Sequence, residues 1–226
     1  MFQVTLVGNV TCVDLGTRDY LEVWNLQRKL VKKRLGNEVK DVLLLVEHPH
    51  VFTVGKRGPK QFKVNNIPVY FIERGGQVTY HGYGQLVAYP ILSLQDSRLD
   101  VRTYVRALEE VVIQTLACYK IRGIRIKDYP GVWVNVDGKK KKICSIGLAI
   151  KQWVVYHGLA LNVNTNLSYF EMINPCGLEP SVMTSMHILL GKKLDFKDVK
   201  RKFVESFEKV FNTNAFITKL DVLGAD

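Results

Sequence analysis

What the sequence lacks narrows its function before any motif is read. No apolar run approaches the ~20 residues of a membrane helix. The opening MFQVTLVGNV has neither the basic start and long apolar stretch of a secretory leader nor the Arg/Ser-rich look of a transit peptide. Cysteine is scarce, with four residues at 12, 118, 144 and 176, and no two of them form a CxxC pair. A zinc framework is therefore not expected, and neither is any metal; free thiols in a reducing, cytoplasmic compartment are expected instead. There is no RNP aromatic signature, no Cys/His finger and no basic region joined to heptads, so only charge speaks for nucleic-acid binding. Repeats, low-complexity tracts and Pro/Ser-rich linkers are missing, which points to one domain over 1–226.

What is present is an ordinary core and a basic surface. Hydrophobic residues make up 47% of the 226, and the net charge is +11. The positive charge gathers in KLVKKR (29–34), KKKK (139–142), KK (192–193) and KDVKRK (197–202). Each cluster reads first as a solvated helix face or turn; together they suit acidic partners.

Periodicity predicts helices over 17–35, 97–121 and 195–211, the last with Asp195 as its N-cap. It predicts strands over 41–47, 51–55, 69–73 and 153–163. A hairpin over 131–151 would turn at Asp137-Gly138. Strands and hairpins between flanking helices imply an α/β (α+β) arrangement, a mixed β-sheet packed against helices.

Four segments carry chemistry. In ERGGQVTYHGYGQLVAYPI (73–91), Gln77, Thr79 and His81 alternate with Val78 and Tyr80, so a short strand would present the two sets to opposite faces. Glycines bracket it, letting backbone approach a ligand; a plain glycine-rich turn pair with a buried histidine is the alternative. In INPCGLEPSVMTSM (173–186), Cys176 stands between Pro175 and Gly177, a context that tends to expose a thiol for nucleophilic work. Its alternative is a small buried residue, which Cys12, Cys118 and Cys144 fit better. In KKKKICSIG (139–147), Lys142 opens an apolar strand; a lysine near a thiol favours the thiolate, or else merely snorkels at the strand end. In EHPHVFTVGKRG (47–58), His48 and His50 read as a turn that feeds a strand toward a cleft, a metal pair being the weaker reading because no third ligand is apparent.

Together these segments resemble one family, the lipoyl(octanoyl) transferases of the biotin/lipoate protein ligase superfamily. The resemblance runs in order through HPHVFTVGKRG, RGGQVTYHGYGQLVAYPI, PGVWV, KICSIGLAI, HGLALNV and NPCG…MTS, and so spans nearly the whole chain. RGG-x-x-TYHG with a later PCG is its most specific part. Tyr83 departs from the family's HGPGQ and would loosen that loop; Met183 departs from the usual valine before Thr-Ser. The resemblance implies a biotin/lipoate protein ligase-like fold and an octanoyltransferase. Octanoyl would pass from acyl carrier protein to Cys176, then to a lysine of lipoyl domains in 2-oxoacid dehydrogenase E2 subunits and glycine cleavage H protein. It implies a Cys176/Lys142 dyad, acyl-binding segments at Arg74, Gly75, Gly76, Gln77, Val78, Thr79, Tyr80 and His81, at Ser145, Ile146 and Gly147, and at Gly158, Leu159 and Ala160, and no cofactor. Val78, Tyr80 and Leu159 would wall an apolar groove for the C8 tail. A mitochondrial place would follow if the source were eukaryotic. An ATP-dependent lipoate–protein ligase of the same fold would not need Cys176, and a biotin ligase would carry a GRGR-type loop that is missing. A non-enzymatic basic binding module is the remaining alternative; it would be indifferent to loss of Cys176 and sensitive to salt.

Overall fold

The DVLLLVE run is apolar without alternation, and a strand of that kind needs cover on both faces. The computed structural model of the chain, which describes residues 2–64, 66–174, 177–218 and 220–223, supplies it. In chain order the elements are β1 (Val10–Thr17), α1 (Tyr20–Leu35), β2 (Val42–Glu47), β3 (Val51–Val54), β4 (Val69–Phe71), β5 (Val78–His81) and β6 (Gln85–Ser93). Next come α2 (Val101–Ala117), β7 (Ile124–Ile126), β8 (Tyr129–Val136), β9 (Lys139–Lys151) and β10 (Val154–Asn162). The remainder is α3 (Met186–Leu190), α4 (Phe196–Phe211) and β11 (Ala215–Thr218), with 3-10 turns at Leu167–Met172, Pro180–Val182 and Leu220–Leu223.

Eight strands form one mixed sheet in the order β11-β1-β2-β6-β10-β9-β8-β7. Pairing is parallel from β11 to β2 and antiparallel from β2 to β7. Leu43 and Leu45 of β2 face α2 and α4, packing with Leu108, Val112, Phe203 and Phe207. Leu44 and Val46 face the other way, onto Val23, Leu30 and Val31 of α1. A second sheet, β4-β3-β5, has its own small core of Phe52, Val78, Tyr80, Phe170 and Met183. Among the described residues no helix is long and apolar enough to cross a membrane.

The helix boundaries follow their caps. Asp19, Asp100 and Asp195 accept N–H bonds from Leu21 (2.8 Å), Thr103 (2.9 Å) and Lys197 (2.9 Å), each satisfying a donor that an α-helix start leaves open. The helix expected over 97–121 is therefore shorter, Val101–Ala117: Arg98 (φ 52°) and Lys120 (φ 60°) bend the chain away at either side. Leu99 packs on the core from the turn instead. Asp137 (φ 48°) and Gly138 (φ 80°) make the expected tight turn. A second two-residue turn, Gln152 (φ 46°) and Trp153 (φ 66°), joins β9 to β10 without a turn-forming residue. The Trp153 carbonyl takes the Leu94 N–H at 2.9 Å, so tertiary bonding helps hold that turn.

Candidate active site

Between the α1 face of the large sheet and the small sheet lies a narrow cleft. Its floor comes from β6, β9 and β10 through Val87, Tyr89, Ser145, Ile146, Gly147, Gly158, Leu159 and Ala160. Its roof is Tyr20 and the segment Arg74, Gly75, Gly76, Thr79 and His81, with His157 also lining it. Gly147 lies directly opposite Gly158 in the β9–β10 ladder, so the floor carries almost no side chain there. Gly158 is glycine for a second reason: a Cβ would stand 2.1 Å from the Ala88 carbonyl oxygen of β6. The result is a slot with bare backbone below and a glycine loop above.

The roof is held by its own arginine. Arg74 Nη2 donates to the carbonyls of Thr53 and Gln77, both at 2.8 Å, and Nη1 donates to the Gly75 carbonyl at 2.9 Å. The Gly75 N–H is spent on the Leu148 carbonyl of β9 at 2.8 Å, which ties roof to floor. The period-2 alternation expected at 77–81 is present: Thr79 and His81 line the cleft, while Val78 and Tyr80 pack into the small-sheet core. Of the three residues expected as groove walls, only Leu159 lines this cleft. Tyr80 is turned toward Phe52 and Phe170, and its hydroxyl meets His50 Nδ1 at 2.7 Å. Gln77 points elsewhere: a Cβ on Gly177 would lie 3.5 Å from its Oε1, so the segment after Cys176 rests on it.

Lys142 sits near the start of β9, opposite Trp133 of β8, and is buried. Its Nζ lies 5.4 Å from the centre of the Trp133 ring, a cation–π distance. Gly131 makes room for it. At φ 121°, a Cβ there would stand 2.3 Å from the Cys144 carbonyl oxygen and 3.0 Å from Lys142 Cε. The Lys142 carbonyl accepts the Thr184 N–H at 2.9 Å, and Lys142 forms an isolated bridge with Met183. Pro175 and Cys176 lie outside the described residues. On their flanks the Gly177 N–H donates to the Asn174 carbonyl at 3.1 Å. The chain that leaves Cys176 thus returns to Lys142 at Met183–Thr184.

The other thiols divide differently than expected. Cys12 and Cys144 are buried, and burial pushes Cys12 up to about 12 and Cys144 far above the usual thiol range. Cys118 is exposed, because it follows the last residue of α2 where the chain turns to solvent. His48 and His50 lie in the link between β2 and β3 and serve different neighbours. His48 Nδ1 donates to the Arg18 carbonyl at 2.8 Å and its Nε2 meets the Tyr89 hydroxyl at 2.9 Å, whereas His50 stacks on Tyr169 at 4.4 Å. Among the described residues no cluster of three His, Cys, Asp or Glu could hold a metal ion. Tyr83, the departure in the glycine loop, packs edge-on against His50 at 5.1 Å. The loop stays anchored, since the Gly84 carbonyl accepts from Asn164 N (2.8 Å) and Thr165 Oγ1 (3.0 Å). Tyr20, Val87, Tyr89 and His157 line the cleft unannounced by the sequence. His157 directly precedes the expected Gly158–Ala160 segment, and that adjacency is the only signal among the four.

Solved structures share this architecture. An archaeal bipartite lipoate protein ligase from Thermoplasma acidophilum matches with TM-score 0.72 at 15% identity, over 96% of this chain and 91% of that one. A lipoate-protein ligase A bound with ATP matches with TM-score 0.68 at 14% identity, over 96% and 92%. The fold is that of the lipoate and biotin protein ligases. The chain belongs to the family described as the lipoyl protein ligase A/B catalytic domain, whose model matches residues 19–208. Curated relatives include the octanoyltransferase of Syntrophobacter fumaroxidans, 44% identical over 207 residues, covering 88% of this chain and 89% of that one. The octanoyltransferase of Caldicellulosiruptor saccharolyticus is 43% identical over 215 residues, covering 90% of each.

Proposed function

We propose that this acyltransferase moves an octanoyl group in protein lipoylation by double displacement, with Cys176 as nucleophile and Lys142 as its proton partner. In the first half, the Cys176 thiolate attacks the thioester carbonyl of an octanoyl acyl carrier protein. A new C–S bond forms, the carrier's C–S bond breaks, and the departing carrier thiolate takes a proton from the Lys142 ammonium to leave as a thiol. In the second half, the neutral amine of a lipoyl-domain lysine attacks the octanoyl-Cys176 thioester. A C–N bond forms, the C–S bond to Cys176 breaks, and the amine's surplus proton is taken up by Lys142 or the departing thiolate. Exchange of one thioester for another is near thermoneutral and the amide lies downhill, so no nucleotide is required.

The observation that carries this reading is the return of the post-Cys176 segment to Lys142, three residues along β9 from Ser145 of the slot. A cation beside a thiol favours the thiolate, and Lys142 is fixed near that segment by its backbone and by Trp133. Arg74–His81, Ser145–Gly147 and Gly158–Ala160 are the acyl-binding segments in this scheme. Thr79 and His81 belong to the wall, and Gln77, Val78 and Tyr80 support it from behind. The whole chain acts as one catalytic unit, its acceptors being E2 lipoyl domains and glycine cleavage H protein. Its basic surface suits acidic carriers, and a reducing cytoplasm or mitochondrial matrix suits a thiol nucleophile.

Intact mass after mixing with octanoyl acyl carrier protein tests the scheme. The wild type is expected to gain one octanoyl group, labile to hydroxylamine and discharged by a lipoyl domain without ATP. Cys176→Ser is expected to gain none, and Lys142→Ala to slow both half-reactions by roughly a hundredfold or more. Acceptor modification only with ATP and free octanoate would replace this reading with a ligase; normal turnover of Lys142→Ala would remove the dyad.

A further inference from the structure

Behind the cleft a set of buried polar side chains forms one continuous line of hydrogen bonds. The Thr184 carbonyl accepts from Asn162 Nδ2 at 3.0 Å. Asn162 Oδ1 accepts from Gln85 Nε2 at 2.9 Å. Gln85 Oε1 meets His81 Nδ1 at 2.8 Å, and His81 Nε2 meets Thr53 Oγ1 at 3.5 Å. Thr53 Oγ1 in turn accepts from Arg74 Nη2 at 2.9 Å. The line runs from the roof of the cleft, through β3, β5, β6 and β10, to Thr184, whose N–H bonds the Lys142 carbonyl at 2.9 Å. Gln85 and Asn162 are each 1% exposed, so a mismatched group there finds no water to compensate it.

The Thr184 end fixes each proton as far as His81 Nδ1, and the Arg74 end leaves the Thr53 hydrogen for His81 Nε2. A peptide carbonyl only accepts and a guanidinium only donates. Starting from the Thr184 carbonyl, Asn162 must present its NH2 there and its oxygen to Gln85. Gln85 must then present its NH2 to Asn162. The same NH2 faces the Tyr80 carbonyl at 3.3 Å, a second acceptor that requires the same orientation. Gln85 Oε1 therefore faces His81, whose Nδ1 must carry the proton. Starting from Arg74, Thr53 Oγ1 accepts that donor and has its own hydrogen left for His81 Nε2. Both directions meet in a neutral imidazole protonated on Nδ1. The surroundings agree: burial, followed by the neighbouring His48, pushes His81 down to about 3, and Arg74 and His157 act the same way. Tyr20 stacks on the ring at 6.0 Å and adds no cation.

We propose that Gln85 and Asn162 are positioning residues for acyl transfer: their amides hold His81 as the Nδ1–H imidazole in the cleft wall and fix the Met183–Thr184 segment, and with it the strand of Lys142, against the acyl cleft. The inference rests on the octanoyl-transfer reading above. Each amide faces opposite hydrogen-bond polarities on its two sides, which an amide satisfies and a carboxylate of the same shape does not. Neither Gln85 nor Asn162 lines the cleft, so their effect must pass through His81 and Thr184.

The test has two arms on the full-length protein. In nitrogen-15 imidazole spectra at neutral pH, His81 is expected to carry its proton on Nδ1 with Nε2 bare. A proton on Nε2, or on both nitrogens, overturns the proposal, and this arm needs no variant to fold. In the kinetic arm, Gln85→Glu and Asn162→Asp are expected to lower kcat by roughly tenfold to a hundredfold. KM for octanoyl acyl carrier protein should stay within about twofold. Wild-type kcat in either folded variant, or a loss confined to KM, overturns it. Acyl-enzyme formation with the proton on Nε2 would sink the positioning role alone. Absence of acyl-enzyme in a wild type with the Nδ1–H form would sink the transfer chemistry while the geometry of the line stood.

Discussion

His157 is the cleft residue whose local structure is least like its neighbours. It lies inside a strand with φ 57°, and its N–H leaves the sheet to donate to Gln27 Oε1 of α1 at 2.9 Å. The cause is across the ladder. β6 and β10 pair at Leu92–Val155 and again at Ala88–Leu159, with Pro90 between them and no N–H to offer. The imidazole is 1% exposed, neither ring nitrogen has a hydrogen-bond partner among the described residues, and burial lowers its pKa. Glu73 Oε2, at 3.9 Å from Nε2, is beyond hydrogen-bond reach. Ser145 is the lining residue of β9 nearest to Lys142, and His157 is the lining residue of β10 farthest from it, so His157 lies at the end of the slot away from Lys142. His157→Ala is expected to lengthen the slot and admit longer tails. At about 0.8 kcal/mol per buried methylene, two more methylenes shift the preference for decanoyl over octanoyl by roughly tenfold. Competition between the two thioesters, read as acyl-enzyme masses, checks this; an unchanged ratio would put chain-length selection elsewhere. Sequence order could name the Gly158–Ala160 segment but not this neighbour's role, because the bend that exposes His157 to the cleft begins on another strand.

At the scale of elements, local signals were legible and long-range ones were not. Helical periodicity, the Asp195 cap, the unbroken DVLLLVE strand and the Asp137-Gly138 turn all act within a few residues, and all are found. β6 is different. A proline argues against a central strand, yet Pro90 sits in one, tolerated where β10 bends away. β1, β7 and β11 are edge or near-edge strands fixed by distant partners, and their pattern alone does not declare them. One such distant contact anchors α1. Arg34, in its last turn, donates from Nε to Asp41 Oδ1 at 2.7 Å, and the same oxygen accepts the Ser93 N–H of β6 at 3.1 Å. Asp96 is a further partner of Arg34. Asp41 is buried, so Asp41→Ala would leave the Arg34 Nε–H and the Ser93 peptide N–H without their acceptor. A loss of about 3 kcal/mol is expected, the low end for a broken buried pair because Asp96 remains. Replacing both partners, Arg34→Met with Asp41→Leu, is expected to cost less than the single change. Urea unfolding of the two variants measures the difference; a costlier double variant would mean that the pair itself stabilises the fold.

For the molecule as a whole, the buried histidines around the cleft make folding sensitive to acid. An unfolded histidine titrates near ~6.5, while burial lowers His48 to about 4 and His81 to about 3. Between those values the unfolded chain binds protons that the native state refuses. Their contribution to stability is therefore complete above ~6.5 and is lost progressively as pH falls toward the folded values. At about pH 5 each of the two costs roughly 2 kcal/mol, and His157 acts in the same direction. The Asp41 and Glu109 carboxyls, both raised by burial, run the other way. The chain's +11 charge grows on acidification and adds self-repulsion. Urea midpoints at about pH 7.5 and about pH 5 are thus expected to differ by several kcal/mol of unfolding free energy, the lower pH being weaker. His48→Gln, already destabilised near neutrality by its lost bonds to Arg18 and Tyr89, should show the shallower fall. Equal stability at the two pH values would mean that these imidazoles accept protons in the native state. That would contradict the neutral His81 on which the alignment of the cleft with the strand of Lys142 depends.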